Sequence, residues 1–179
     1  MSGKLRIGII GCGDFLRLRA ADLLSSRQVE VKLLYSPVNS ANAERYAEIF
    51  GAKAADSPEA IINDPEIDVV CVFVPPFVRK EYVLAAAKAG KQIVATKPLA
   101  ADLSDAREMT EAVEQAGVRC GVIYRRTNNP VIEAYKEIFS GGEFGKLALY
   151  KQDWLHHYPT WNRWATDPKK MAAHSWTLC

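Results

Sequence analysis

Leu5-Arg6-Ile7-Gly8-Ile9-Ile10-Gly11-Cys12-Gly13-Asp14-Phe15-Leu16 decides the fold. A short apolar, β-branched run (5–10) reads as a strand, and it breaks at a glycine pair before a helical stretch begins. In such a turn Gly11 supplies the tight bend. Gly13 lets backbone N–H groups come close to a pyrophosphate at the helix N-terminus, where Asp14 and Phe15 open the helix. Leu16 stands where the pattern G-x-G-x-x-G has its third glycine, which predicts looser strand–helix packing at that point. Taken alone, the stretch has two readings: a phosphate cradle, or a glycine turn that binds nothing.

Outward from this turn the chain repeats one theme. Further strands are predicted at 31–35, 69–74, 92–95 and 119–124, each nearly continuous in apolar character, as strands buried on both faces are. Helices fill the gaps. Ser57-Pro58 offers an N-cap followed by proline at the first helical position. Ser104 is predicted to cap a helix that carries Ala106, Met109, Val113 and Ala116 at helical spacing and is closed by Gly117. Gly51 and Gly90 end two others, because glycine accepts the left-handed conformation that stops helices. Strand and helix in alternation predict an α/β fold: a doubly wound parallel sheet, the Rossmann fold, with right-handed crossovers.

After Tyr124 the texture changes. A helix is predicted at 130–139, stopped by Ser140-Gly141-Gly142, followed by an extended run at 145–154 that suits an antiparallel sheet with one wet face. The organisation expected is therefore a nucleotide-binding domain over 1–125, the beginning of a truncated C-terminal α/β domain over 126–170, and an aberrant tail over 171–179.

The bulk composition is that of an ordinary globular protein, 49% hydrophobic and 25% charged over 179 residues. A net charge of +2 argues against nucleic acid or an anionic membrane as partner. No apolar run approaches the roughly 20 residues that span a bilayer, and the start does not resemble a signal peptide. The cysteines, Cys12, Cys71, Cys120 and Cys179, form no close pair, so no metal site or redox motif is expected and a reducing cytoplasm is.

Cofactor choice should be written at the end of the second strand, Tyr35-Ser36-Pro37-Val38-Asn39-Ser40. An acid there would hold the ribose hydroxyls of NAD. Its absence leans towards NADP, although no arginine follows to bind a 2′-phosphate. Ser36, Asn39 and Ser40 either donate hydrogen bonds to the nucleotide or cap the next helix, and the choice between NAD and NADP stays open with that lean.

Further motifs carry a resemblance. Val74-Pro75-Pro76, then Ala89-Gly90-Lys91, then Thr96-Lys97-Pro98-Leu99-Ala100, then Tyr124-Arg125-Arg126 and Pro130 occur in that order. Together they resemble the glucose–fructose oxidoreductase / inositol 2-dehydrogenase (Gfo/Idh/MocA) family, from Lys4 to about Lys170. The resemblance implies an NAD(P)-dependent dehydrogenase that moves a hydride between nicotinamide and a carbohydrate-like alcohol, in a homo-oligomer. It implies that Lys97 is the active-site lysine, that Val74, Pro75 and Pro76 form a turn along the cofactor beside Thr96, and that Arg126 faces the cofactor side of the cleft. A lysine at a strand end is otherwise a solvated surface charge. The Pro98 context and the glycine turn reverse that reading.

Three positions depart from the family pattern. Thr96 replaces a glutamate, Arg79 stands where many members have histidine, and Leu16 replaces a glycine. The family's Asp/His acid–base pair is absent. His156 and His157 lie too early to match it, and His174 sits in the tail. One base upstream, the Met171-Ala172 codons must contain GGC (glycine) and the Trp176-Thr177 codons GAC (aspartate). That frame permits Asn-Gly-Gly-Pro-Phe-Met-Asp, so a frameshifted tail is expected, with cofactor binding retained and little or no turnover. The alternative is a non-catalytic dinucleotide-binding or sensor module. A methyltransferase would have no reason for Lys97-Pro98 closing a strand.

Overall fold

The computed structural model describes residues 3–124, 129–146, 148–149 and 151. The chain runs β1 (Leu5–Ile10), α1 (Asp14–Ser25), β2 (Val29–Tyr35), α2 (Ser40–Phe50), β3 (Lys53–Ala54), α3 (Pro58–Ile62), β4 (Val69–Val72), α4 (Arg79–Lys88), β5 (Gln92–Thr96), α5 (Leu103–Ala116), β6 (Cys120–Ile123) and α6 (Pro130–Ser140). The strands form one sheet in the order β3-β2-β1-β4-β5-β6. Every pairing is parallel. This is the doubly wound α/β sheet of the sequence reading, with a two-residue β3 at its edge that the apolar pattern was too short to reveal.

Period-two alternation explains why both faces are covered. Ile10, Val70, Val72 and Ile93 point to the face packed by Ile61, Val83 and Met109 from α3, α4 and α5. Ile7, Ile9, Val69 and Cys71 point to the other face, where Leu16, Ala43, Tyr46 and Ala47 from α1 and α2 cover them. The close approach between strand and helix falls at Gly8, where a Cβ would lie 2.3 Å from Cγ2 of Ile61.

Helix punctuation follows the sequence with one correction. Ser57 caps α3 by accepting from the Ala60 N–H, and Gly51 and Gly117 end α2 and α5 in the left-handed region. The cap of α5 is Asp102, not Ser104: its carboxylate accepts from the Asp105 N–H at 2.9 Å. A carboxylate next to the positive helix end outcompetes a hydroxyl two residues inside it. The looser packing expected at Leu16 is also corrected. Its side chain is fully buried and fills the space between α1 and the sheet.

Of the extended run predicted at 145–154, the described residues Gly145, Lys146, Ala148, Leu149 and Lys151 carry no regular secondary structure. A strand needs a ladder partner, and the strand pairings among the described residues do not extend to this run. Arg126, His156, His157, His174 and the 171–179 tail lie outside the described residues. Among the described residues, no helix is long and apolar enough to cross a membrane.

Candidate functional site: a cleft at the carboxyl ends of β1, β4 and β5

The sheet order reverses at β1: the chain leaves it towards β2 on one side and returns to β4 on the other. Such a switch point leaves a crevice beyond the strand ends, where open α/β sheets bind their ligands. Here the crevice measures about 630 Å³ and is lined by residues 11–15, 36–39, 73–75 and 96–98, with Arg79. The N–H of Gly11 donates to the Tyr35 carbonyl and that of Phe73 to the Ile10 carbonyl, each at 2.8 Å, so β1 is tied to both neighbours where the crevice opens.

The two glycines differ in what surrounds them. Gly11 has φ +109°, and a Cβ on it would lie 2.6 Å from the Phe73 carbonyl oxygen. Gly13 has no atom within 4 Å of where its Cβ would stand, because that direction is open crevice. Gly13 is also the N-cap of the 12-residue α1 and provides no side-chain cap, so the helix's first N–H groups are not claimed by a side chain. Asp14 pairs with Arg17 at 3.3 Å, which offsets a carboxylate in that first turn. Phe15 meets Phe73 edge-on, centroids 4.9 Å apart, forming an aromatic wall between α1 and β4. These features fit a dinucleotide: open approach, free donors and an apolar wall.

At the β2 end, Ser36 is half-buried in the crevice while Asn39 is committed as the cap of α2, accepting from the Ala41 N–H at 3.1 Å. Of the two readings left open for Asn39, its carbonyl oxygen takes the capping one. At the opposite end stand Val74, Pro75, Thr96 and Lys97, with Pro76 buried just behind them. Lys97 is exposed to the crevice and forms no ion pair among the described residues.

Arg79 has a role that none of the sequence motifs assigns. It is 1% exposed, and its guanidinium is caged by main-chain oxygens. Nη1 donates to the carbonyls of Thr96 (2.5 Å), Pro98 and Leu99 (3.0 Å). Nη2 donates to the Val74 carbonyl at 2.5 Å and to Thr96 Oγ1 at 2.6 Å. One side chain thus joins the turn after β4 to the turn that carries Lys97. Burial pulls its pKa down to about 10, which leaves it protonated at neutral pH. A signal was present: Arg79, Val83 and Ala86 lie on one stripe of α4, at i, i+4 and i+7, and the stripe faces the core. The two departures at 79 and 96 are therefore one arrangement, with the threonine accepting from the arginine.

The model of the "Oxidoreductase family, NAD-binding Rossmann fold" matches residues 5–124. The scyllo-inositol 2-dehydrogenase (NAD(+)) of Bacillus subtilis is 29% identical over 152 residues, 84% of this chain and 44% of that protein. The 1,5-anhydro-D-fructose reductase of Ensifer adhaerens is 31% identical over 141 residues, 79% and 42% of the two chains. Among solved structures, the 3-ketoreductase KijD10 of Actinomadura kijaniata with NADP superposes with a TM-score of 0.72 at 26% identity, over 79% of this chain and 45% of that one. The chain thus spans less than half the length of the relatives it matches. With the parallel sheet, the glycine turn and the Lys97-Pro98 strand end in place, the chain belongs to the Gfo/Idh/MocA oxidoreductase family, and residues 5–124 are its NAD-binding Rossmann fold.

Proposed function

We propose that this chain is the NADP-preferring, dinucleotide-binding half of a dehydrogenase acting on a sugar- or polyol-like alcohol, with Lys97 as its catalytic residue. The observation that carries the reading is the position of Lys97: an exposed ammonium at one end of a crevice whose middle is the unencumbered Gly13 turn. The N–H groups of 13–15 would hold the pyrophosphate, and Ser36 the adenosine ribose. That leaves the end formed by 74–76 and 96–97 for the nicotinamide.

A bound nicotinamide supplies the hydride acceptor or donor. The chain's own part is to place and polarise. The Lys97 ammonium holds the reacting oxygen and stabilises negative charge as it develops there, an effect that strengthens where water is excluded. The names of the relatives support an alcohol of the sugar or polyol kind as substrate.

Two things support the lean to NADP: the end of β2 offers hydroxyl and amide groups instead of an acid, and KijD10 was solved with NADP. The B. subtilis relative is named for NAD(+), so the preference needs its own test. Calorimetric titration with NADP(H) and NAD(H) provides it. Saturable binding, tighter for the 2′-phosphorylated form, is expected. Tighter NAD(H) would reverse the cofactor assignment, and no binding of either at millimolar concentration would overturn the reading.

A further inference from the structure

We infer that Arg79, acting with Lys97, makes the nicotinamide end of this crevice select the reduced dinucleotide over the oxidised one. The inference rests on the cofactor orientation proposed above, and it concerns charge. The oxidised nicotinamide ring carries one positive charge and the reduced ring none, while the rest of the molecule keeps the same charge. The environment at that end therefore sets the difference in affinity.

That environment is cationic. Arg79 is buried at 1% exposure beneath the turn at 74–75 and the turn at 96–98, and both turns line the crevice. All of its hydrogen bonds go to neutral acceptors: the carbonyls of Val74, Thr96, Pro98 and Leu99 and the hydroxyl of Thr96. These dipoles solvate the guanidinium without cancelling its net charge. Among the described residues neither Arg79 nor Lys97 has a carboxylate within salt-bridge distance. Among the described residues the one acid lining the crevice, Asp14, sits at the pyrophosphate end and is paired with Arg17.

Burial adds to the effect. A cation beneath the crevice floor is not screened by water as a surface lysine is, so its field reaches across the floor. By Coulomb's law at an intermediate dielectric, one such charge acting over several ångströms is worth about tenfold in the ratio of the two affinities. The caging hydrogen bonds also fix the cation: it cannot swing away when a charged ring arrives.

The test is competition calorimetry of the intact chain with NADP+, NADPH and 2′-phospho-ADP-ribose, which lacks the nicotinamide. The chain should bind NADPH about tenfold or more tightly than NADP+. Arg79→Gln, which keeps amide donors and loses the charge, should narrow that ratio severalfold while 2′-phospho-ADP-ribose binds as before. Lys97→Gln, on an exposed side chain, should do the same without any risk to folding, and Thr96→Glu, which sets a carboxylate beside the guanidinium, should narrow the ratio too. Equal affinity for both forms, or a ratio unchanged in the folded variants, overturns the inference and leaves the cofactor reading standing. Failure of all three ligands to bind overturns both.

Discussion

The α-carbon of Gly11 faces the carbonyl of Phe73 so closely that a Cβ would lie 2.6 Å from its oxygen and 2.7 Å from its carbon. This contact brings β1 and β4 together at the switch point, and backbone cannot give way as a side chain would. The φ of +109° adds a conformation that L side chains rarely adopt. Gly11→Ala should therefore cost at least ~2 kcal/mol of stability. Urea denaturation of the variant reads this directly, and an unchanged midpoint would show that the turn can open.

Gly13 is the opposite case. With no atom within 4 Å of its missing Cβ and an ordinary φ of −96°, a side chain there costs the fold little. It would project into the crevice at the end of α1. Gly13→Val should melt within a few degrees of the parent while losing NADP(H) binding by at least about a hundredfold, since phosphate–amide hydrogen bonds need close approach. Retained binding would place the pyrophosphate elsewhere.

This pair of glycines shows what local pattern can encode. The turn, the parallel strands and the caps at Ser57, Gly51 and Gly117 depend on near neighbours in sequence, so they can be read from the residues. The cage around Arg79 joins position 79 to 96, 98 and 99, and no local rule connects them. Residue type alone would place an arginine at the surface. The 79-83-86 stripe marks the inward face, but which carbonyls meet the guanidinium is decided by tertiary packing. Leu16 failed for a similar reason: the glycine rule assumes a close approach of α1 to the sheet at that position, whereas here the leucine side chain itself fills the space and is fully buried.

Leu16 supplies the next test. Restoring the family's residue with Leu16→Gly removes a fully buried side chain and places glycine in the first turns of α1. The two effects together should cost about 3–5 kcal/mol. Thermal unfolding measures it. A neutral or stabilising outcome would mean that α1 settles onto the sheet when the side chain is gone.

Asp68 gives the fold a pH dependence on the acid side. Its carboxylate accepts from the Arg6 N–H at 2.8 Å and from Arg6 Nη2 at 2.9 Å, linking the start of β4 to β1. The hydrogen bonds from Arg6 hold its pKa well down, to about 2, from the usual 3.8. Because the folded-state value is the lower one, the unfolded chain binds the proton first as pH falls. The stabilisation is thus complete above the unfolded pKa and is lost progressively between about pH 4 and pH 2. Asp68→Asn should accordingly be less stable than the parent at pH 6, with the gap closing as pH drops through that window. The pair is partly exposed, so the gap should be modest and should shrink in added salt. Urea midpoints for both proteins from pH 6 to pH 2 decide the matter, and a gap that stays constant across the window would mean that Asp68 acts through packing and not through its charge.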